Sequence, residues 1–166
     1  MGTRECLYPI TIRNYNYKDI EYIIKRHQEL YEVEHGFSSE FEGYVKEYVM
    51  KFHENHDEIK ENIWIAEQNG RPVGVIALVK VDDDLAQLRW FLIEPEMRGQ
   101  GLGHKLMSTL IDFSKEKNYK HIFLWTISIL ESARHLYKNY NFKLTETKKS
   151  DIWGAKLIEE RWDLHL

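Results

Sequence analysis

The glycine-rich segment at residues 94–107 limits the fold of this chain more than any other part of its sequence. It reads EPEMRGQGLGHKLM, so Gly99, Gly101 and Gly103 occupy alternate positions. The hydrophobic run LRWFLI comes before it, and apolar residues follow at helical spacing, namely Leu102, Leu106, Leu110 and Phe113. A strand, a glycine turn and a helix in this order bring backbone N–H groups and the positive end of a helix to one concavity. The segment therefore predicts a site for a phosphate-bearing ligand, and the charge of Arg98 beside it favours a diphosphate.

Two widespread phosphate loops are excluded by spacing. The dinucleotide fingerprint G-x-G-x-x-G requires a third glycine where His104 stands. The P-loop G-x-x-x-x-G-K-[ST] requires a lysine directly after its last glycine, but Gly103 is followed by His104. Three glycines in five residues cost backbone entropy without a structural need for all of them. The segment thus indicates a diphosphate loop of another kind.

Composition and charge narrow the class of protein. The chain has 166 residues, a formal net charge of -4 and 43% hydrophobic residues, which predicts one domain over residues 1–166 and no nucleic-acid partner. Cys6 is the only cysteine, which excludes an internal disulfide and a cysteine-based zinc cluster and fits a reducing cytosol. The sequence has no signal-peptide pattern, no apolar run of membrane-spanning length and no dense cluster of metal ligands. We therefore expect a cytoplasmic protein without a metal or a membrane partner.

Hydrophobic periodicity predicts the order of the secondary structure. The order is β-α-α-β-β-β-α-β-α-β-β, which is typical of an α/β sandwich with a mixed sheet. Asp19 is expected to cap the first helix, and Ser38 or Ser39 the second. Asn69 and Gly70 separate two hydrophobic runs and predict a tight hairpin between them.

Two motifs resemble those of the GNAT acyltransferase superfamily. Residues 98–103, RGQGLG, are similar to the R/Q-x-x-G-x-G/A loop with which that family binds the pyrophosphate of acetyl-coenzyme A. Residues 132–142, SARHLYKNYNF, resemble the family helix A-x-x-L-Y-x-x-x-G-F, with Asn141 in place of the glycine and able to adopt the same left-handed turn. The segments LRWFLIEP, FLWTIS and ERWDL are similar to the acetyltransferase half of proteins that fuse a MarR-type regulator to a GNAT domain.

The resemblance implies a fold and a chemistry. The fold is a single-domain α/β structure, whose mixed, mostly antiparallel sheet is flanked by helices and splayed between strands 4 and 5. The chemistry is transfer of an acetyl group from acetyl-CoA to a primary amine of a small molecule or peptide, by direct attack and without an acyl-enzyme. Tyr137 is the implied general acid, since a phenol with a pKa near ~10 is protonated at neutral pH. The implied contacts to acetyl-CoA are Phe91, Leu92, Ile93, Arg98, Gly99, Gln100, Gly101, Leu102, Gly103 and His104.

The acceptor stays open at this point. The resemblance implies that residues 29–44 wall the acceptor site, and this segment is rich in glutamate and aromatic residues, among them Glu34 and Phe37. Acidic groups among rings favour a cationic amine. Arg89 favours the opposite, an acceptor with a carboxylate. Strand alternation predicts Arg89 and Trp90 on opposite faces, so that at most one of them lines the cleft.

The general base, catalytic competence and assembly are also open. Glu67, Glu34, His35 and ordered water are the alternatives for deprotonation of the amine. Because Gln87 and Leu130 depart from the family pattern, a non-catalytic acyl-CoA-binding sensor or interaction module is the alternative function. The closing strand ERWDLHL either completes its own sheet or pairs across a two-fold axis, which leaves a homodimer open.

Overall fold

The computed structural model describes residues 8–166, so Cys6 lies outside the described residues. Within this range seven strands and four helices follow one another in the predicted order, which is confirmed, and none of these helices is long and apolar enough to cross a membrane. A short 3-10 turn, Pro95–Met97, precedes the third helix. In chain order the elements are β1 (Ile10–Asn14), α1 (Asp19–His35), α2 (Glu40–Asn55), β2 (Asn62–Gln68), β3 (Arg71–Lys80), β4 (Leu85–Ile93), α3 (Leu102–Glu116), β5 (His121–Ile127), α4 (Glu131–Asn139), β6 (Lys143–Ser150) and β7 (Leu157–His165).

The strands form one sheet that opens near its centre. Their order is β1-β2-β3-β4-β5-β7-β6, and every neighbouring pair is antiparallel except β4 with β5. These two parallel strands pair only where residues 85–87 meet residues 121–123, although β4 continues to Ile93 and β5 to Ile127. The mixed, mostly antiparallel sheet and its splay between strands 4 and 5 are thus confirmed. Beyond Gln87, one edge of β4 faces a gap.

Both faces of the sheet are buried under helices. On β2, Ile63 and Ile65 pack into the core beneath α1 and α2, whereas Trp64 and Ala66 pack into the core beneath α3 and α4. Successive residues of a strand point to opposite faces, so a strand that is covered on both faces must be apolar at every position. This explains the unbroken hydrophobic run IWIA and the sandwich of helices, sheet and helices.

Two predicted turns are confirmed by their backbone angles. Asn69 and Gly70 have φ of 51° and 73°, the left-handed pair of a type I′ hairpin that joins β2 to β3. Asn141, which follows α4 in place of the family glycine, has φ of 70°. Asparagine tolerates this conformation better than other residues with a β-carbon, so the chain turns into Phe142 and β6 as predicted.

The predicted helix caps are wrong in detail. Lys18, not Asp19, holds the position before α1, and no side chain caps that helix. The Asp19 carboxylate instead accepts two hydrogen bonds from the Arg13 guanidinium, at 2.8 and 3.0 Å, and one from the Asn16 N–H at 2.8 Å. A charge-assisted pair of this kind is stronger than a neutral cap, and it ties α1 to β1. Ser39 does precede α2, but its hydroxyl makes no capping hydrogen bond.

The closing strand lies inside the sheet. β7 pairs with β5 on one side and with β6 on the other, so it completes its own sheet and offers no free edge for a partner. β6 is the edge strand at this end of the sheet, and Lys143, Lys148 and Lys149 lie along it. Charged side chains on an edge strand oppose pairing with a second sheet. A homodimer remains a prediction, but pairing through β7 is not a route to it.

Glu94 joins α1 to the end of β4, directly before the glycine loop. The residue is 6% exposed, and its carboxylate accepts hydrogen bonds from the Tyr22 hydroxyl at 2.9 Å and from Arg26 Nε at 2.8 Å. Burial and the neighbouring Glu94 charge raise the pKa of Tyr22 well above its ordinary value, so this hydroxyl remains a donor. The three residues fix α1 against the strand from which the glycine loop departs.

We expect Glu94→Gln to lower the free energy of unfolding by about 2 kcal/mol, because it removes the buried charge opposite Arg26 while preserving shape. Urea unfolding measures this loss. Glu29→Gln is the matched control, since Glu29 contacts the same guanidinium from a largely exposed position and should change stability by less than about 0.5 kcal/mol. Equal losses in the two variants would contradict the anchoring role of Glu94.

Candidate active site

The glycine loop forms a row of free backbone donors. Gly99 and Gly101 have φ of 77° and 82°, and a β-carbon at either position would meet no atom within 4 Å. In the described part of the chain, no backbone N–H from Gly99 to His104 donates a hydrogen bond. Gly101 directly precedes α3, so the positive end of the helix lies at this row. Left-handed glycines, free N–H groups and open space are the features of an anion site.

Gly103, the third glycine of the loop, is required for packing rather than for a left-handed backbone. A β-carbon on Gly103 would lie 3.2 Å from Ile93 Cδ1 and 3.3 Å from Leu136 Cδ2, so glycine here permits close packing of α3 against β4 and α4. Leu102 beside it is 1% exposed, within the core. Of the residues predicted to contact acetyl-CoA, Leu102 therefore offers only its backbone to a ligand.

Arg98 and Glu34 form an ion pair at the edge of the loop. Two guanidinium nitrogens of Arg98 donate to the two carboxylate oxygens of Glu34, at 2.7 and 3.1 Å. This pair holds the pKa of Glu34 below its ordinary value. Gln100 donates from its side chain to the Glu96 carbonyl at 3.0 Å, and the His104 carbonyl accepts the Tyr140 hydroxyl at 3.0 Å. Glu34 is thus placed against the loop.

A bulge shapes β4 where it faces the gap. Val75 of β3 is opposite Leu92 and Ala77 is opposite Arg89, so Trp90 and Phe91 together face a single residue of β3. Trp90 has φ of 44°, which is a genuine outlier for a bulky side chain. The bulge interrupts strand alternation, and Arg89, Trp90 and Phe91 all line the cavity described next. The prediction that at most one of Arg89 and Trp90 lines the cleft is therefore wrong.

A cavity of about 370 Å³ lies between the diverging strands and the helices. It extends from the aromatic residues of α1 and α2 to α4, and residues of β4, β5, β6 and β7 complete its walls. Of the predicted site residues, Tyr137, Phe91, Phe37 and Arg89 lie on its lining. The full lining in the described chain is His27, Tyr31, Phe37, Phe41, Tyr44, Val45, Gln87, Leu88, Arg89, Trp90, Phe91, Trp125, Thr126, Ile127, Leu130, Ala133, Tyr137, Lys148, Ile152, Trp153, Leu157 and Glu159.

Tyr137 lies on the lining with its hydroxyl unpaired. The residue is 4% exposed, and its hydroxyl has no hydrogen-bond partner among residues 8–166. Burial, with a smaller contribution from Tyr31, raises the pKa of Tyr137 well above its ordinary value. The phenol therefore keeps its proton at neutral pH and can donate it to a group in the cavity.

The carboxylates and the histidine proposed as general bases lie away from the lining. Glu67 accepts a hydrogen bond from Arg13 Nε at 2.7 Å beside β1, and Glu34 is held by Arg98. The His35 ring packs against Tyr31, and burial lowers its pKa. None of the three lines the cavity in the described chain.

Sequence reasoning missed His27 and Glu159 as lining residues. His27 Nδ1 lies 2.7 Å from the Ile23 carbonyl, so Nδ1 carries the hydrogen and Nε2 is an acceptor with no partner among the described residues. Burial lowers the pKa of His27 to about 4, so the ring is neutral at pH 7. The sequence feature that could have identified His27 is its position among the apolar residues on one face of α1, where a histidine is buried. Glu159 pairs with Lys148 at 3.7 Å across β7 and β6, and the register of these two strands was not readable from spacing.

Four aromatic residues, Phe37, Phe41, Tyr44 and Trp153, form one part of the cavity lining, which we call the aromatic wall. Three pairs of these rings meet in edge-on or tilted contacts with centroids 4.9 to 5.4 Å apart, and Phe41 stacks on Tyr44 at 6.4 Å. Arg89 Nη2 donates to the Tyr44 hydroxyl at 3.2 Å. In the described range, no group of three or more histidine, cysteine or carboxylate residues is arranged to hold a metal ion.

Comparisons with known proteins point to one family. Residues 22–142 match the model of the acetyltransferase (GNAT) family. N-acetyltransferase 8B of Homo sapiens is 33% identical over 107 residues, which are 61% of this chain and 45% of the human protein, so the match spans less than half of that relative. A GNAT-family acetyltransferase from Staphylococcus aureus Mu50 is similar in structure, with a TM-score of 0.79, 23% identity and coverage of 95% of this chain and 99% of that one. A Salmonella typhimurium acetyltransferase solved with acetyl-CoA has a TM-score of 0.77 at 17% identity, over 95% of this chain and 94% of its own.

The family match covers both the glycine-rich motif at residues 98–103 and the helix motif at residues 132–142. Residues 22–142 contain the glycine loop, the bulged strand and the helix with Tyr137. The structural neighbours extend the likeness to nearly the whole described fold. The chain therefore belongs to the acetyltransferase (GNAT) family.

Proposed function

We propose that this protein is an N-acetyltransferase that moves the acetyl group of acetyl-CoA to a primary amine of a small molecule or peptide. The proposal rests on the combination of a free row of loop N–H groups at the start of α3 with an unpaired, protonated Tyr137 on the lining of the cavity between the diverging strands. A sensor that only binds acyl-CoA would use the row of donors but would have no use for the unpaired phenol. The proposal assigns this activity to residues 1–166 as one domain.

The residues present fit acetyl-CoA. The N–H groups from Gly99 to His104 would hold the diphosphate, with Arg98 adding positive charge beside them. The free edge of β4, at Phe91, Leu92 and Ile93, would pair with the amides of the pantetheine arm as a strand does. Side chains at these three positions pack in or against the hydrophobic cores, and their backbone groups would make the contacts to the arm.

The transfer step requires a group that takes a proton from the amine, a place that holds the amine beside the thioester, and a donor that protonates the leaving sulfur. The acceptor nitrogen forms a bond to the thioester carbonyl carbon while the carbon–sulfur bond breaks, and the electron pair leaves on sulfur. Tyr137 gives its proton to that sulfur and regains one from solvent. The nitrogen loses a proton to ordered water, and the neutral His27 can accept a hydrogen bond from the amine. The balance is one amine and one thioester consumed, and one amide and one thiol formed, without an acyl-enzyme.

Thiol release from acetyl-CoA over a panel of primary amines tests the proposed function, with binding of CoA measured beside it by calorimetry. We expect CoA to bind and at least one amine to support thiol release, with the N-acetyl product identified by mass. Binding of CoA without turnover on any amine would favour a sensor. Absence of binding would overturn the assignment of the glycine loop itself.

Arg98→Gln is expected to weaken acetyl-CoA binding by about tenfold, because it removes one positive charge from the proposed diphosphate site. Calorimetry at low and high salt measures the effect, which should shrink as salt rises. Arg71→Gln is the matched control, since Arg71 is exposed at the β2–β3 turn and forms no salt bridge with a described residue. An unchanged dissociation constant for Arg98→Gln would remove Arg98 from the site.

Other features remain predictions from the sequence. They are the likeness to the acetyltransferase half of MarR–GNAT fusion proteins, the cytoplasmic location and the homodimer. None of them enters the mechanism proposed here.

A further inference from the structure

We infer that the acceptor is an α-amino acid with an apolar or aromatic side chain, whose carboxylate is held by Arg89. This inference rests on the proposed function and names the substrate class of the same cavity. It depends on the electrostatics of the lining and on the surroundings of Arg89.

Arg89 differs from the other arginines of the described chain. Five of the seven, namely Arg13, Arg26, Arg98, Arg134 and Arg161, form salt bridges with carboxylates. Of the remaining two, Arg71 is exposed to water at a turn, whereas Arg89 is only partly exposed and lines the cavity. The charge at Arg89 thus has neither a protein carboxylate nor full hydration to offset it.

Aromatic rings fix the Arg89 guanidinium in place. Its central carbon lies 4.5 Å from the Tyr48 ring centroid, 5.2 Å from that of Trp90 and 6.0 Å from that of Tyr44. Cation–π contacts of this kind hold the guanidinium against the rings without neutralising its charge, so it can still bind a carboxylate. Only one of the guanidinium N–H groups has a described protein acceptor, the Tyr44 hydroxyl. A held guanidinium with free donors is a receptor for a carboxylate, which it binds in bidentate fashion.

The other charges of the lining oppose a polycationic acceptor. Glu159 is the sole carboxylate on the lining within residues 8–166, and Lys148 already neutralises it at 3.7 Å. Glu34, the acidic residue that favoured a cationic amine from the sequence, pairs with Arg98 instead. The cavity therefore carries the net positive charge of Arg89, which repels a second ammonium group and attracts a carboxylate.

The aromatic wall specifies the rest of the acceptor. Phe37, Phe41, Tyr44 and Trp153 line the same cavity as Arg89, and the Tyr44 ring lies next to its guanidinium. Ile152 and Leu157 extend the apolar lining. An amino acid bound by its carboxylate at Arg89 would place an apolar side chain against these rings. Charged side chains would lose hydration at this surface without a partner.

Matched acceptors test the inference. Wild-type enzyme is expected to acetylate L-phenylalanine with a kcat/KM about 30-fold above that for phenethylamine, which lacks only the carboxylate. In Arg89→Gln the kcat/KM for L-phenylalanine should fall by about 30-fold while that for phenethylamine changes by less than about threefold. Arg71→Gln should behave as wild type on both amines. Equal use of the two amines by wild type, or equal losses on both in Arg89→Gln, would overturn the inference.

A binding measurement separates this inference from the proposed function. N-acetyl-L-phenylalanine and N-acetylphenethylamine are titrated into CoA-saturated protein, wild type and Arg89→Gln, by calorimetry. Binding that requires both the carboxylate and Arg89 supports the inference, even where no amine is turned over. Absence of turnover on every amine would contradict only the proposed function. Turnover of carboxylate-free amines without any carboxylate-dependent binding would retain the proposed function and overturn the inference.

Discussion

Replacement of Tyr137 by phenylalanine is expected to lower kcat by about 300-fold, within the range by which a positioned general acid accelerates a reaction. The ring and its packing against Phe142 and Trp162 are preserved, and only the hydroxyl is lost. Because that hydroxyl has no partner in the described chain, we expect the free energy of unfolding to change by less than about 0.5 kcal/mol. Steady-state kinetics with acetyl-CoA and an accepted amine measure the effect, beside calorimetry of acetyl-CoA binding.

The pattern of the kinetic constants carries the conclusion. A proton donor that acts on the leaving sulfur lowers kcat and leaves the dissociation constant of acetyl-CoA near that of wild type. Tyr119→Phe is the control, since Tyr119 is also buried but donates its hydroxyl to the Lys60 carbonyl, away from the cavity lining. The raised pKa of Tyr137 keeps this residue protonated in the wild-type enzyme. Wild-type kcat should therefore show no loss from tyrosine ionisation up to a pH of about 10. Full activity of Tyr137→Phe would remove this residue from the mechanism.

Gly101→Val is expected to weaken acetyl-CoA binding by at least about 100-fold, since a β-branched residue at φ of 82° is strained and its side chain enters the space above the free N–H row. Relief of the strain would turn the donors away from their common centre. Calorimetry of CoA measures the loss, and kcat at saturating acetyl-CoA should change much less than affinity.

Gly70→Val is the matched control, since it places the same residue at a left-handed backbone position away from the glycine loop. Gly70 has φ of 73° and, like Gly101, open space where a β-carbon would be, but it lies in the β2–β3 turn. Both variants should lose stability to a similar extent, about 1–2 kcal/mol, from the left-handed backbone alone. Only Gly101→Val should lose acetyl-CoA binding. A similar loss of binding in both would mean that general destabilisation, not the loop, explains the result.

Much of the fold was predictable because its signals are local. The apolar run IWIA indicates a strand buried on both faces, and Asn69-Gly70 indicates a type I′ turn. The alternate glycines indicate a left-handed backbone before a helix. Each of these depends on the conformational preference of one or two residues. The order of elements follows from such signals in series.

The parts that sequence reasoning got wrong or missed depend on contacts between different elements of the fold. Asp19 was expected to cap α1, but Arg13 of β1 binds it. Strand alternation failed at Trp90 because the bulge arises from pairing of β4 with β3. The partner of Glu34 is Arg98, 64 residues along the chain, so its acidic character did not report on the cavity. The charge of a site can thus be predicted only when the fold is known, whereas the presence of the glycine loop can be predicted from the sequence alone.

A single-turnover experiment tests the central claim most directly. Protein in excess over acetyl-CoA is mixed with an accepted amine, and the acetyl group is followed by mass spectrometry on the amine and on the intact protein. We predict that every acetyl group appears as N-acetyl product, in step with thiol release, and that none is found on the protein at any time. Acetyl-CoA that stays intact in the bound state, or an acetylated protein that forms before the product, would contradict the account.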